Sequence, residues 1–437
     1  MSLSNFQKHI AKNLPFLTES KLLIAISGGL DSVALTHLCH KLDLNMALAH
    51  CNFNLRNDES DGDEDFVLQL AKDLELEVFI ERFDTEKYSQ DHKVSIQMAA
   101  RELRYNWFEA LANQLQFDYI LTAHHADDNL ETFLINLSRG TGLEGLKGIP
   151  EINDHIARPL LPFSREAIIA YAEENKLKWR EDSSNASTKY MRNKLRHDVI
   201  PVLKEMNPQF LQNFQSTLHN LKDTTDIVEE SVDAVLKRAI ISIDDNYIAF
   251  SVIQFKKLNN PKAYLFEVFK DYGFTEWNDV VNLLDAQSGK IIKSATHRLV
   301  KDRDCLLLSE IQDSEFKNIT IDKIDNQIET PIGTLFFDEA DAVLSKELNT
   351  IYVDKSLLKF PLTLRQWQEG DYFYPIGMSG KKKLSKYFKD EKLSLIDKEN
   401  AWLLCSGNDI VWVVNRRADS RFKVTESTKE ILSIKLK

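Results

Sequence analysis

Four short strand-like runs, each followed by a segment of helical period, fill residues 22–137, and this alternation limits the fold more than any other feature of the chain. The runs are Leu22 to Ile26, Asn45 to His50, Glu77 to Phe83 and Tyr119 to Ala123. After the first, Leu35, Leu38, Cys39 and Leu42 recur at helical spacing, and further helices are expected at about 62–74, 94–115 and 127–137. Strands alternating with helices imply βαβ units and a twisted parallel sheet, with ligands bound beyond the carboxyl ends of its strands. Ser27 to Ser32, His50 and His124 all fall at such ends.

Only 14 of the 437 residues are glycine, yet two stand side by side in KLLIAISGGLDS, residues 21–32, where the first apolar run stops. Residues without side chains at a strand-to-helix turn let backbone N–H groups approach an anion, and the helix N-terminus that follows favours negative charge. That describes a phosphate cradle. A tight turn needing positive φ explains a bare glycine pair equally well. The stretch fits neither GxxxxGK[ST] nor GxGxxG, so the two commonest nucleotide signatures are absent from it.

A second cluster is AHHADDNLET, residues 123–132. An acidic residue there caps a helix and opposes its dipole, but Asp127, Asp128 and Glu131 are more than capping requires. Asp128 and Glu131, at i and i+3, share a helix face. Such a pair suits a cation, either Mg²⁺ on nucleotide phosphates or a substrate ammonium group.

RGTGLEGLKGIP, residues 139–150, concentrates four glycines, and its interleaved Leu143, Leu146 and Ile149 indicate a packed loop rather than a free linker. Between Lys189 and Lys204 five Lys/Arg stand against one Asp, a local positive patch in a chain of formal charge -12. The overall acidity tells against a general nucleic-acid binder and leaves room for patchy RNA contacts. Cys39, Cys51, Cys305 and Cys405 are far apart and form no CxxC pair, so reduced thiols are expected rather than a disulfide scaffold or metal ribbon. No apolar stretch reaches a membrane span, and the N-terminus lacks a secretory pattern; a cytoplasmic protein with no membrane partner is expected.

SGGLDS resembles the SGGxDS PP-loop of the ATP pyrophosphatases. Together with HCNFNLR after the second strand, AARELRY at 99–105, HHADDNLET, RGTGLEGLKGI, RPLL at 158–161 and EDSSNASTKYMRNKLR, it resembles the tRNA(Ile)-lysidine synthases. The resemblance extends to LRQWQEGDYFYPIGMSGKKKLSKYFKD, residues 364–390, which is similar to that family's C-terminal tRNA-contacting domain. Phe53 departs from it, since many relatives place a second histidine there, and no role is assigned to that position.

The resemblance implies an N-terminal α/β, parallel-sheet PP-loop domain of the adenine nucleotide alpha hydrolase type at 1–208. A helical middle domain at 209–345 and a small α+β C-terminal domain at 346–437 would follow. It implies a ligase that uses ATP to adenylate the 2-oxo group of the wobble cytidine in a CAU anticodon, then lets free L-lysine displace AMP, giving lysidine. Ser27, Gly28, Gly29, Leu30, Asp31 and Ser32 would hold ATP; Asp31, Asp127 and Arg104 would serve catalysis, Asp31 and Asp127 also through Mg²⁺. Asp128 and Glu131 would take lysine, and Arg192, Arg196, Lys381, Lys382 and Lys383 the tRNA. Whether the chain forms a homodimer is left open. A PP-loop tRNA thiolase, which usually delivers sulfur through cysteines, and a non-catalytic RNA-binding protein are the rival readings. Residues 209–345 carry no motif with chemical meaning, whereas AWLLC-SGND-IVWVV near the C-terminus reads as a hairpin.

Overall fold

The computed structural model describes residues 1–55, 58–181, 191–311, 318–322, 327–344 and 347–437. They fall into two compact units, Met1–Val228 and Glu229–Lys437.

In the first unit the four runs become strands Leu22–Ala25, Met46–Asn52, Val78–Arg82 and Tyr119–Leu121. The helices between them are Leu30–Lys41, Asp58–Asp73, Thr85–His92 and Ile96–Leu115, and Ala126–Arg139 follows the last strand. The sheet runs in the order Val78–Arg82, Met46–Asn52, Leu22–Ala25, Tyr119–Leu121, Ile156–Ala157, Ile152–Asn153. All neighbours are parallel except the last pair. Strand side chains alternate between faces, so Leu22 and Ile24 enter the core built with Val33, Leu35 and Leu38. Leu23 joins Ala47, Ala49, Phe108 and Phe117 on the other side. Burial on both faces is why Leu22–Ala25 and Met46–Asn52 read as largely apolar runs, whereas Val78–Arg82, at the sheet edge, is only half-buried and ends in Glu81 and Arg82.

Strand order reverses at Leu22–Ala25, whose neighbours lead in opposite chain directions. A crevice opens beyond the carboxyl ends of strands at such a switch point. The glycine turn leaves one of the two strands bordering it, and the acidic cluster leaves the other.

In the second unit the expected helices, such as Pro261–Phe269 and Trp277–Asn282, are accompanied by a five-stranded antiparallel sheet. Its order is Ile240–Ile243, Ile248–Ser251, Cys305–Glu310, His297–Asp302, Ile291–Lys293. The C-terminal part adds two four-stranded antiparallel sheets. The hairpin read from the sequence forms as Trp402–Ser406 and Asp409–Val413. Among the described residues no helix is long and apolar enough to cross a membrane.

Candidate active site

The glycine turn is a built structure. Gly28 has φ +86°, in the left-handed region that an L side chain rarely adopts. A Cβ there would also lie 3.4 Å from the Phe66 ring. Ser32 Oγ accepts the Ser27 N–H at 3.2 Å and donates to the Gly29 carbonyl at 3.0 Å, closing the turn on itself. Gly29 caps the helix Leu30–Lys41 without a side-chain acceptor. The helix therefore starts without a side-chain cap, the kind of helix start that can take an anion.

Across the switch point the helix Ala126–Arg139 opens with a reciprocal cap. The His125 N–H donates to Asp128 Oδ2 at 3.0 Å, and the Asp128 N–H donates to His125 Nδ1 at 3.4 Å. This assigns the ring proton to Nε2, which lies 3.6 Å from Asp31 Oδ2 and 3.4 Å from Asp128 Oδ2. Buried His125 thus joins the glycine turn to the acidic helix. Burial alone would depress its pKa, but the nearby carboxylates of Asp31, Asp128 and Asp127 outweigh it and raise the pKa above the ordinary value.

The three acids do not share one environment. Asp127 Oδ2 accepts the Arg165 N–H at 2.8 Å, while Oδ1 accepts Lys204 Nζ at 2.5 Å. Lys204 also donates to Glu166 at 2.6 Å. Burial opposes charge on Lys204, but these two carboxylates raise its pKa. Glu131, fully buried, accepts Arg196 Nε at 2.6 Å, and Arg196 Nη2 reaches Asp128 Oδ1 at 3.0 Å. Burial again works against the charge, and Glu131 and Asp128 hold Arg196 more firmly cationic than usual. Arg192 Nε lies 3.3 Å from Glu131 and its Nη2 donates to Thr132 at 2.8 Å.

The segment 191–206, which includes a π-helical turn at Leu195–Val199, therefore neutralises the acidic helix start residue by residue. Asp127, Glu131, Arg165, Glu166, Arg196 and Lys204 line a cavity of about 280 Å³. It lies at the small end of ligand pockets, which hold about 300–1,000 Å³, and carries both signs of charge, as a zwitterion the size of an amino acid requires. Arg165 Nε is buried with no hydrogen-bond partner.

Asp31 also has a buried oxygen, Oδ1, without a partner. Among the described residues no three His, Cys, Asp or Glu side chains are grouped to hold a metal. A hard cation here would take Asp31 Oδ1 and complete its shell from phosphate oxygens and water, as Mg²⁺ commonly does. Asp31 fits that role, whereas both Asp127 oxygens are already engaged.

Arg104 lies over the Phe53 ring, 5.2 Å from its centroid, and Phe53 stacks on Phe83. The charge of Arg104 is felt at His50 and Cys51, which places it at the end of the second strand, away from the acidic helix start. Lys381, Lys382 and Lys383 belong to the second unit. The loop 139–150 is packed, as expected: Asn129 Oδ1 accepts the Ile149 N–H at 2.7 Å, and Asn136 donates to the Gly145 carbonyl at 2.8 Å. Residues 182–190, which take in all of EDSSNASTK but Glu181, lie outside the described residues.

His125, Arg165, Glu166 and Lys204 were not singled out from the sequence. His125 had a signal in its place directly before the acids. The other three are brought in by tertiary packing alone. Burial raises the pKa of Cys39, and that of Cys51 is pushed up to about 12, so neither supplies the thiolate a sulfur carrier needs.

Residues 2–203 match the family model described as a PP-loop domain. Residues 243–311 match the TilS substrate binding domain, and 362–435 the TilS substrate C-terminal domain. The chain is 41% identical over 418 residues to the tRNA(Ile)-lysidine synthase of Parabacteroides distasonis, with 94% of each chain covered. It is 38% identical over 432 residues to that of Bacteroides thetaiotaomicron, with 98% of each covered.

Proposed function

The chain belongs to the tRNA(Ile)-lysidine synthases, and from that premise we propose how its own residues carry the ligation. The enzyme is an ATP-using ligase that modifies tRNA. The wobble cytidine of a tRNA(Ile) with a CAU anticodon is adenylated at its 2-oxygen, pyrophosphate leaves, and the ε-amine of L-lysine displaces AMP. The product, lysidine, changes decoding from AUG to AUA. A carbonyl oxygen leaves poorly until it is activated, which is what ATP contributes.

The contact between His125 and Asp31 carries this reading, because it ties the phosphate turn to the acidic helix across one switch point. The turn 27–32 receives the phosphates through backbone N–H groups. Asp31 would hold Mg²⁺, which supplies charge neutralisation for the departing pyrophosphate; Asp127 would join it only on release of Lys204. Nε2–H of His125 orients Asp31 and stabilises its charge.

Lysine fits the cavity between Glu131 and Arg165 once Lys204 swings off Asp127 and Glu166, whose carboxylates then take its α-ammonium, while Arg165, with its buried and unpartnered Nε, takes its α-carboxylate. That leaves the ε-amine free of a counter-charge, as a nucleophile must be. Arg104, at the end of the second strand, is assigned to the cytidine; Arg192 and Lys381 to Lys383 contact tRNA phosphates. Such substrates place the enzyme in the cytoplasm.

Mass spectrometry of nucleosides from a tRNA(Ile) CAU transcript, incubated with enzyme, ATP and lysine, tests the function. Lysidine is expected. A thiolated nucleoside or unmodified cytidine would overturn the reading.

A further inference from the structure

A carbonyl oxygen turned into an anion cradle would repel the ligand, so the Gly28 peptide has to be held the right way round. The Gly28 oxygen accepts the backbone N–H of Arg180 at 3.0 Å. In a planar trans peptide the C=O and the following N–H point in opposite directions. Holding the Gly28 oxygen toward Arg180 therefore turns the Gly29 N–H to the other side, where Ser27 Oγ accepts it at 3.3 Å.

Arg180 is itself gripped. Its Nε donates to Asp63 Oδ1 at 2.7 Å. A Cβ on Gly62 would stand 3.0 Å from Arg180 Nη2, so the glycine leaves the guanidinium its seat. One turn further along the same helix, Phe66 and Val67 pack against Gly28. The helix Asp58–Asp73 and Arg180 thus close on the turn from two sides.

We propose that Arg180 is a positioning residue for the phosphate turn: clamped to Asp63, it holds the Gly28 carbonyl outward so that this oxygen does not face the ligand side. The inference rests on the phosphate-binding reading of that turn and concerns no residue that touches the reacting atoms. The Arg180–Asp63 pair is partly exposed, with 40% and 23% of the side chains accessible. Pairs of that kind add little to stability, so their effect is expected in ligand affinity and not in the melting temperature.

Calorimetric titration of the full chain with pyrophosphate and Mg²⁺, and separately with adenosine, provides the test. Arg180→Ala and Asp63→Asn should each weaken pyrophosphate about tenfold, the size of one charge-assisted hydrogen bond. Adenosine affinity and melting temperature should stay unchanged. The double variant should be no weaker than Arg180→Ala alone, since the two act as a unit, and Arg180→Lys should recover part of the loss. Pyrophosphate affinity within twofold of the parent, equal weakening of adenosine, or additive losses in the double variant would overturn the anchor. A parent chain that binds adenosine but no pyrophosphate would overturn the phosphate reading of the turn itself, a separate failure.

Discussion

Arg196 grips Glu131 with two hydrogen bonds, Nε to Oε1 at 2.6 Å and Nη2 to Oε2 at 3.1 Å, at a carboxylate with no exposed surface. A buried carboxylate so held lines the cavity assigned to lysine. Glu131→Gln should therefore raise the KM for lysine by tenfold or more, about 1.4 kcal/mol of binding, while the KM for ATP changes little. Steady-state lysidine formation at varied lysine and varied ATP separates the two. Equal effects on both substrates would move Glu131 to the ATP site.

Among the described acids of the crevice, Asp31 has a buried oxygen left unpartnered, and it stands in the turn assigned to the phosphates. Asp31→Ala should lower tRNA-dependent pyrophosphate release by a factor of at least about 10², the usual scale for removing one preorganised electrostatic group. Circular dichroism and tRNA binding should be nearly those of the parent. Pyrophosphate release at the parental rate would remove Asp31 from the chemistry.

The parallel sheet was legible because its central strands are buried on both faces and so appear as largely apolar runs such as Leu22 to Ile26. The sheet at 240–310 was not. Lys301, buried within the strand His297–Asp302, interrupts the apolar pattern that would mark it. At the site, the helix-face spacing of Asp128 and Glu131 could be read from sequence. Their partner could not, since Arg196 stands 65 residues beyond Glu131 and arrives only by tertiary packing. Arg180 was hidden for the same reason: its grip on Asp63 spans 117 positions.

His124 should make the fold sensitive to acid. Burial lowers its pKa from 6.5 to about 4, against the raising effect of Asp128, so the folded protein keeps the ring neutral while the unfolded chain would protonate it. A depressed folded-state pKa contributes stability that is present above pH 6.5 and lost as pH falls toward 4. His125, raised, acts in the opposite sense: its contribution is complete below the ordinary histidine value and fades as pH rises through the folded-state pKa. Between pH 7.5 and pH 5, His124→Asn should lose less melting temperature than the parent, by a few degrees on the scale of roughly 1 kcal/mol. Parallel pH profiles for the two proteins would show that His124 does not titrate with unfolding.

The last expectation concerns the lysine run of the C-terminal domain, where the structure changes the arithmetic. Leu384, Tyr387 and Phe388 are buried, so the helix Leu384–Asp390 is a fixed platform for the cations before it. The three lysines are not equivalent on it. Lys382 pairs with Asp390 at 2.8 Å, and Lys381 lies 3.4 Å from the centroid of the Tyr372 ring, which leaves its charge in place. Lys383 is exposed. Replacing all three with alanine should weaken tRNA binding and flatten the plot of log affinity against log salt. With Lys382 already neutralised, about two phosphate contacts are lost, a slope change of roughly 1.4 to 1.8. Asp390→Asn frees Lys382 and should steepen the slope by up to about 0.9. Pyrophosphate binding should be unchanged in both variants. A triple variant that binds full-length tRNA as tightly as the parent, with the same slope, would show that this platform is not where the RNA backbone is held.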